Sequence, residues 1–483
     1  MSATDSPART ATSSPPQTLR AGAERLCPAG LLALCAGAVA WLFIALLLGL
    51  IDSLKFHDPG FLAGSPYLSY GRVHAAQGTA LLYGFAVPAS LGVGLWLICR
   101  LGRTVLAGRF VVFLGALFWN FAVTVAVIAN VCGGGRGYDY FDLTVHCAPL
   151  FFIAYLLIGV CGMLTFHQRQ PGPLYPSQWF VLGSLFWFPW IFSTAAMLLL
   201  LMPARGTLQS AIHWWYVHNV DNVFLGFAGL ASSFYFIPKL LGRPLHSRQL
   251  AALAFWTIAL FGGWGGIPQG APLPSWIISL GVIGTVLTAV PVLAIFTNFY
   301  RTTRGDLKRL DDNLTLRFSY IGLLFYFVAA AQQIVGVLPN VSAITALTWF
   351  GVAQKQLFHL GFFALTMFGA LYYIIPRLLD VEETAWRPKL AKAHFYLTVI
   401  GIVISYLSLL VCGVGQGVLL VNPAHPFADV MRSTLAPLRV STAGDLLVVV
   451  GTILFLLNFA LLLTRACFKC WADCCVGKEK QPA

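Results

Sequence analysis

This sequence is poor in charge. Only 10% of its 483 residues are Asp, Glu, Lys or Arg, while 58% are hydrophobic. A soluble chain carries roughly 25% charged residues to clothe its surface. The shortfall excludes a soluble globular protein and leaves most of the outer surface to lipid. Acidic residues are the scarcer sign, 17 against 30 basic ones, for a net charge of +13. No basic stripe is interleaved with aromatics, so the surplus does not describe a nucleic-acid face. No cleavable signal is expected, because the first apolar run is too long for an h-region and no A-x-A site follows it. No internal repeat is visible. The 11 cysteines do not form a disulfide framework: Cys35, Cys99, Cys161 and Cys412 lie in or beside apolar runs, where cysteine packs as a small hydrophobe.

What the chain does contain is apolar runs of about 18 residues or more, each long enough to cross a bilayer. They fall near 29–51, 74–99, 108–131, 146–166, 177–202, 211–238, 250–267, 274–298, 315–337, 343–376, 393–421 and 443–464. The expected organisation is a disordered segment over 1–28, a membrane domain of about twelve helices over 29–464, and a tail over 465–483. Loop charge tests that count. Arg9, Arg20 and Arg25 precede the first run, and Arg100, Arg103 and Arg109 follow the second. Arg169, Lys239, Arg301, Arg377 and Arg465 open the later basic segments, always after an even-numbered run. The opposite loops hold only Lys55, Arg72, Arg136, Arg205, Arg432 and Arg439. The positive-inside rule therefore expects both termini in the cytoplasm.

Ionisable side chains inside apolar runs are costly, which makes each a candidate for function. His74 and Gln77 open the second run. His213, His218 and Asp221 lie in the sixth, Lys355 and His359 in the tenth, and His394 opens the eleventh. His74, His213 and His394 sit near run ends, where an imidazole reaches the interface, and read as structural. His218, Asp221, Lys355 and His359 are deeper. They either line a polar path or serve as interhelical hydrogen-bond partners. Asp221 is the one deep acid this reading finds. His213 and His218 are five residues apart and point in different directions, so the histidines are scattered rather than convergent. Past the last run, Cys467, Cys470, Cys474 and Cys475 form C-x-x-C-x-x-x-C-C, with thiolate metal ligation or lipidation as the alternatives to plain reduced thiols.

Several stretches resemble a known family. HWWYVHNVDNVFLGFAGLASSFYFIPK (213–239) is similar to the sixth helix of subunit I of the C-family, cbb-type haem-copper oxidases. GALYYIIPRLL (369–379) resembles the cytoplasmic end of the tenth helix there, GRVHAAQGTALLYGF (71–85) its second, AFWTIALFGGWGGIP (254–268) its seventh and GVGQGVLL (413–420) its eleventh. The resemblance implies an all-α bundle of twelve transmembrane helices holding a low-spin haem b, a high-spin haem and copper. It also implies respiratory partners such as c-type cytochrome subunits, and the bacterial inner membrane as the location.

The ligands implied by that resemblance can be checked residue by residue. By ungapped register the low-spin haem ligand of the second helix falls on Gln77, and the His-x-His pair of the tenth on Gln354 and Gln356. The sixth-helix copper ligand matches His218. The adjacent copper histidines fall on Pro268 and Gln269, and the cross-linked tyrosine near Gly262. Of the ligand positions, only His218 is a histidine. His74 and His359 are the substitutes on offer, but each is displaced by three residues and in opposite senses. At about 1.5 Å per residue that leaves them on the order of 9 Å out of step. The reading is a subunit I homologue that keeps the bundle and has lost most of its metal ligands. An active oxidase or reductase with relocated ligands, and a proton or solute transporter, are the alternatives.

Overall fold

The computed structural model describes residues 28–479. The expectation of disorder before residue 28 lies outside the described residues. So do the side chains of Cys470, Cys474 and Cys475, and with them any test of the cysteine cluster; Cys467 is exposed.

Apolar runs in a lipid environment must satisfy every backbone N–H and C=O internally, and a helix does so within one segment. The described residues accordingly form helices and no strand. We label the long ones α1 (Pro28–Lys55), α2 (Tyr70–Gly102), α3 (Arg109–Val131), α4 (Cys147–His167), α5 (Pro176–Leu201) and α6 (Thr207–Leu241). The second half comprises α7 (Arg248–Phe261), α8 (Ser275–Thr303), α9 (Leu314–Gly336), α10 (Trp349–Leu378), α11 (Pro388–Val421) and α12 (Phe427–Glu479). Eleven are long and apolar enough to cross a membrane; α7 is not. The run expected over 250–267 stops at Phe261, after 14 residues. At about 1.5 Å per residue it covers roughly 21 Å, short of a hydrocarbon core of about 30 Å. The cause is the glycine cluster that follows: Gly262, Gly263, Gly265 and Gly266 favour loop over helix.

Burial separates an inner layer from an outer one. The apolar windows of α2, α6 and α10 are 100%, 89% and 100% buried, whereas those of the other membrane-length helices are 28 to 50% buried. These three helices form the centre. Each contains a π-helical segment: 80–86 in α2, 220–225 in α6 and 357–364 in α10. Such segments widen the turn and release backbone groups that neighbours must satisfy. Trp119 Nε1 from α3 donates to Tyr83 O in the first, at 2.7 Å, and Ser184 Oγ from α5 donates to Phe224 O in the second, at 3.3 Å. A hydroxyl pair, Tyr83 and Tyr216 at 2.7 Å, ties α2 to α6. At the outer layer α11 crosses α12 at Gly401 and Gly444, where a Cβ on either would come within 2.6 Å of the other's carbonyl oxygen. Only small residues permit that approach.

One expectation about a histidine fails here. His394 does not reach an interface: it is fully buried among Phe318, Phe368 and Phe455, and its Nδ1 lies 3.0 Å from Tyr372 Oη. α11 starts at Pro388, so His394 is already two turns' approach into the bundle rather than at its edge.

Candidate functional site

Two clusters of polar residues lie against the central helices. Both contain positions singled out from the sequence.

The first surrounds a cavity of about 360 Å³ between α1, α2, α10, α12 and the 132–146 loop. That loop is built to enter the bundle. Asp142 Oδ1 accepts the N–H groups of Arg136, Gly137 and Tyr138, at 2.8, 2.6 and 3.2 Å. Asn130 Nδ2 holds the Asp142 carbonyl at 2.9 Å and Thr79 Oγ1 at 2.9 Å. The turn so formed carries Asp139 and Tyr140 onto the cavity wall. Tyr140 has φ +57°, a left-handed conformation that a bulky residue adopts at a cost. Burial pushes its hydroxyl pKa well above the ordinary tyrosine range.

Gln77, Gln356, His74, His359 and Lys355 all line this one space. The register argument that kept His74 and His359 apart located them on separate levels, yet the bundle brings both to the same cavity. Their ring nitrogens are fully engaged. His74 Nδ1 lies 2.9 Å from Asp52 Oδ2 and its Nε2 3.4 Å from Asp139 Oδ1. The hydrogen bond from His74 holds the Asp139 carboxyl below the usual carboxylate range. His359 Nε2 lies 2.8 Å from Asp221 Oδ1, and its Nδ1 3.4 Å from Tyr140 Oη. Gln356 Nε2 donates to Asp445 Oδ1 and to Ser405 Oγ, both at 2.8 Å. Gln77 is half-buried on the wall; Gln354 is not among the lining residues.

Asp221 is therefore not the one deep acid. Asp52 and Asp142 are 7% and 3% exposed, and Asp445 is half-buried on the same wall. Asp52 lies just beyond the first apolar run and Asp445 two residues into the last, so neither stood out as an acid deep within a run. The helices extend past those boundaries, to Lys55 in α1 and back to Phe427 in α12. Nor does Asp221 serve Lys355, because His359 occupies it. The Lys355 ammonium stands 5.6 Å from the Tyr140 ring centroid and makes no ion pair or hydrogen bond among the described residues.

The second cluster is around His218 in α6. Its Nδ1 lies 3.2 Å from Asn222 Nδ2, and its buried Nε2 has no partner among the described residues. The glycine loop after α7 covers this ring. A Cβ at Gly265 would sit 2.6 Å from Nε2, and one at Gly266, where φ is +97°, would sit 2.5 Å from His218 Cβ. His213 faces elsewhere, with Nε2 2.9 Å from Asp139 O, as its five-residue offset requires. Pro268 and Gln269 do not converge on His218: Gln269 Nε2 donates to Val337 O at 3.3 Å, at the end of α9. Among the described residues no three His, Cys, Asp or Glu side chains are placed to share a metal ion.

A haem iron takes a free imidazole nitrogen, thiolate, thioether or phenolate. The cavity offers amides at Gln77 and Gln356, and imidazoles whose two nitrogens are already spent. His218 is a lone imidazole, where copper needs several. The residues present do not fit either group.

The relatives of the chain give these positions their context. Residues 30–447 match the family model described as Cytochrome C and Quinol oxidase polypeptide I. The chain is 24% identical over 447 residues to the cytochrome c oxidase subunit 1 homolog of Azorhizobium caulinodans, spanning 89% of this chain and 81% of that one. It is 24% identical over 456 residues to cytochrome c oxidase subunit 1 of Rhodobacter capsulatus, covering 88% and 84%. To the cbb3-type cytochrome c oxidase subunit CcoN1 of Stutzerimonas stutzeri it is 25% identical over 391 residues, covering 79% and 82%.

Proposed function

The chain belongs to the cytochrome c and quinol oxidase polypeptide I family, and from that premise we propose that it is a catalytically degenerate subunit I homologue, working as a structural or regulatory partner in respiratory electron transport. One observation carries the proposal. Where the family resemblance implies imidazoles, Gln77 and Gln356 present amides, and the nearby His74 and His359 have both ring nitrogens committed to Asp52, Asp139, Asp221 and Tyr140. Such a protein keeps the bundle and its docking faces while giving up oxygen reduction.

The expected partners are membrane lipid and other respiratory subunits, c-type cytochromes among them. The expected location is the bacterial inner membrane, with both termini cytoplasmic by the loop charges. The test is composition. Pyridine haemochrome and copper analysis of the detergent-purified chain should give well under one haem and one copper per polypeptide. Stoichiometric haem would return the protein to the active oxidases and reductases with relocated ligands.

The polar cavity favours a second reading, a proton or solute carrier, because Lys355 is a cation on its wall with no direct ion pair among the described residues. If Lys355→Met and Asp221→Asn both leave a measured flux unchanged, that reading falls.

A further inference from the structure

The α1–α2–α10–α12 cavity holds two charged groups whose hydrogen-bonding capacity is only partly used, Asp52 and Lys355. Asp52 is 7% exposed and lines the cavity; its Oδ2 takes His74, while its Oδ1 has no hydrogen-bond partner. Lys355 lines the same space, its ammonium 5.6 Å from the Tyr140 ring centroid and within electrostatic reach of the Asp139 carboxylate, with no direct ion pair or hydrogen bond among the described residues. A buried carboxylate oxygen and an ammonium are each expensive to leave unmet. Asp139 and Asp445 do not resolve the imbalance, being held by His74 and by Gln356 with Ser405.

Aromatic rings line the same cavity as Asp52. Phe56 stands just past the end of α1 at Lys55. Its ring packs on Tyr70 at 5.4 Å and edge-on against Trp349 at 4.6 Å. All three rings line the cavity. Aromatic rings set at steep angles to one another, with one carboxylate, are the chemistry that holds an organic ammonium. Lys355 supplies the opposite charge. A volume of about 360 Å³ is within the range of small-molecule pockets. Tyr70 is 45% exposed and the Asp139 side chain half-exposed, so the space opens at the end of the bundle that carries the 132–146 loop.

We propose that this cavity binds a small zwitterion, its ammonium against Asp52 and the Phe56, Tyr70 and Trp349 faces, its carboxylate against Lys355. The proposal rests on the haem-free reading above, since a haem between α2 and α10 would fill the same space.

The test uses the full chain in detergent, first scanned for a Soret band, then followed by thermal unfolding. The probes are glycine betaine, tetramethylammonium, which lacks the carboxylate, and acetate, which lacks the ammonium. Betaine should raise the unfolding temperature saturably, unlike the steady rise an excluded osmolyte gives. Its half-saturating concentration should be about tenfold below that of either half-ligand. Lys355→Gln should erase the advantage over tetramethylammonium. Asp52→Asn should weaken betaine by about tenfold. If that variant does not fold, the wild-type probe series alone decides. A Soret-silent protein with no saturable betaine shift, or with equal response to all three probes, overturns this proposal alone. A stoichiometric Soret band overturns the haem-free reading and this proposal with it.

Discussion

The α2–α10 cavity and the His218 pocket are organised in opposite ways. Around His218 the backbone has closed in: Gly265 and Gly266 occupy the place where further side chains would stand, and the imidazole is buried against them. Between α2 and α10 the space stays open, and carboxylates, amides and histidines bond to one another around it. The difference follows from the groups present. A lone imidazole can be covered by glycine, leaving one buried nitrogen, His218 Nε2, without a partner among the described residues. Several buried ionisable groups cannot be covered, and must be paired or kept near a polar space. The contrast teaches where packing closes over a polar group and where polarity keeps a space open.

Four substitutions probe that contrast, each read by thermal unfolding in detergent. Gly266→Val should have the largest effect. It forces a β-branched residue to φ +97° and drives Cβ onto His218 and the Trp214 carbonyl. A loss of about 3 kcal/mol or more is expected, and a neutral outcome would mean the His218 pocket is not closed. Asp221→Ala comes next. It strips His359 of its 2.8 Å partner in a buried setting and should cost about 1–3 kcal/mol.

Asp139→Asn should be smaller and pH-dependent. The Asp139 carboxyl pKa is lowered in the folded protein by its bond to His74. Its contribution is therefore present above the unfolded value of about 3.9 and lost as pH falls through the folded one. The gap in unfolding temperature between wild type and variant should be open at neutral pH and close below about pH 4. A gap that widens on acidification would reverse the assignment. Gln77→Leu should do least, within about 0.5 kcal/mol, because Gln77 lines the open cavity and makes no hydrogen bond among the described residues. A large loss there would show the cavity wall to be as tightly constrained as the glycine loop.

The bundle was legible in the sequence because lipid imposes one rule on every span, and runs of apolar residues obey it visibly. α7 was misjudged in length, since AFWTIALFGGWGG is apolar throughout yet its glycines end the helix at Phe261. The positions compared with the family's ligands rest on ungapped register alone. The network around them was not legible. Asp52, Asp139, Tyr140 and Asp445 come from α1, a loop and α12, far apart along the chain. Only the packing of three buried central helices brings them to one wall, and no local pattern encodes that meeting. The π-helical segments in α2, α6 and α10 were equally invisible, because nothing in their composition differs from ordinary apolar helix.

The most direct test of the central claim is an equilibrium titration of the purified chain with haemin, followed in the Soret region. With both ring nitrogens of His74 and His359 engaged and amides at Gln77 and Gln356, the account predicts no saturable bis-imidazole spectrum at one equivalent. A spectrum that saturates at one haem per chain, and is lost in His74→Ala or His359→Ala, would contradict it.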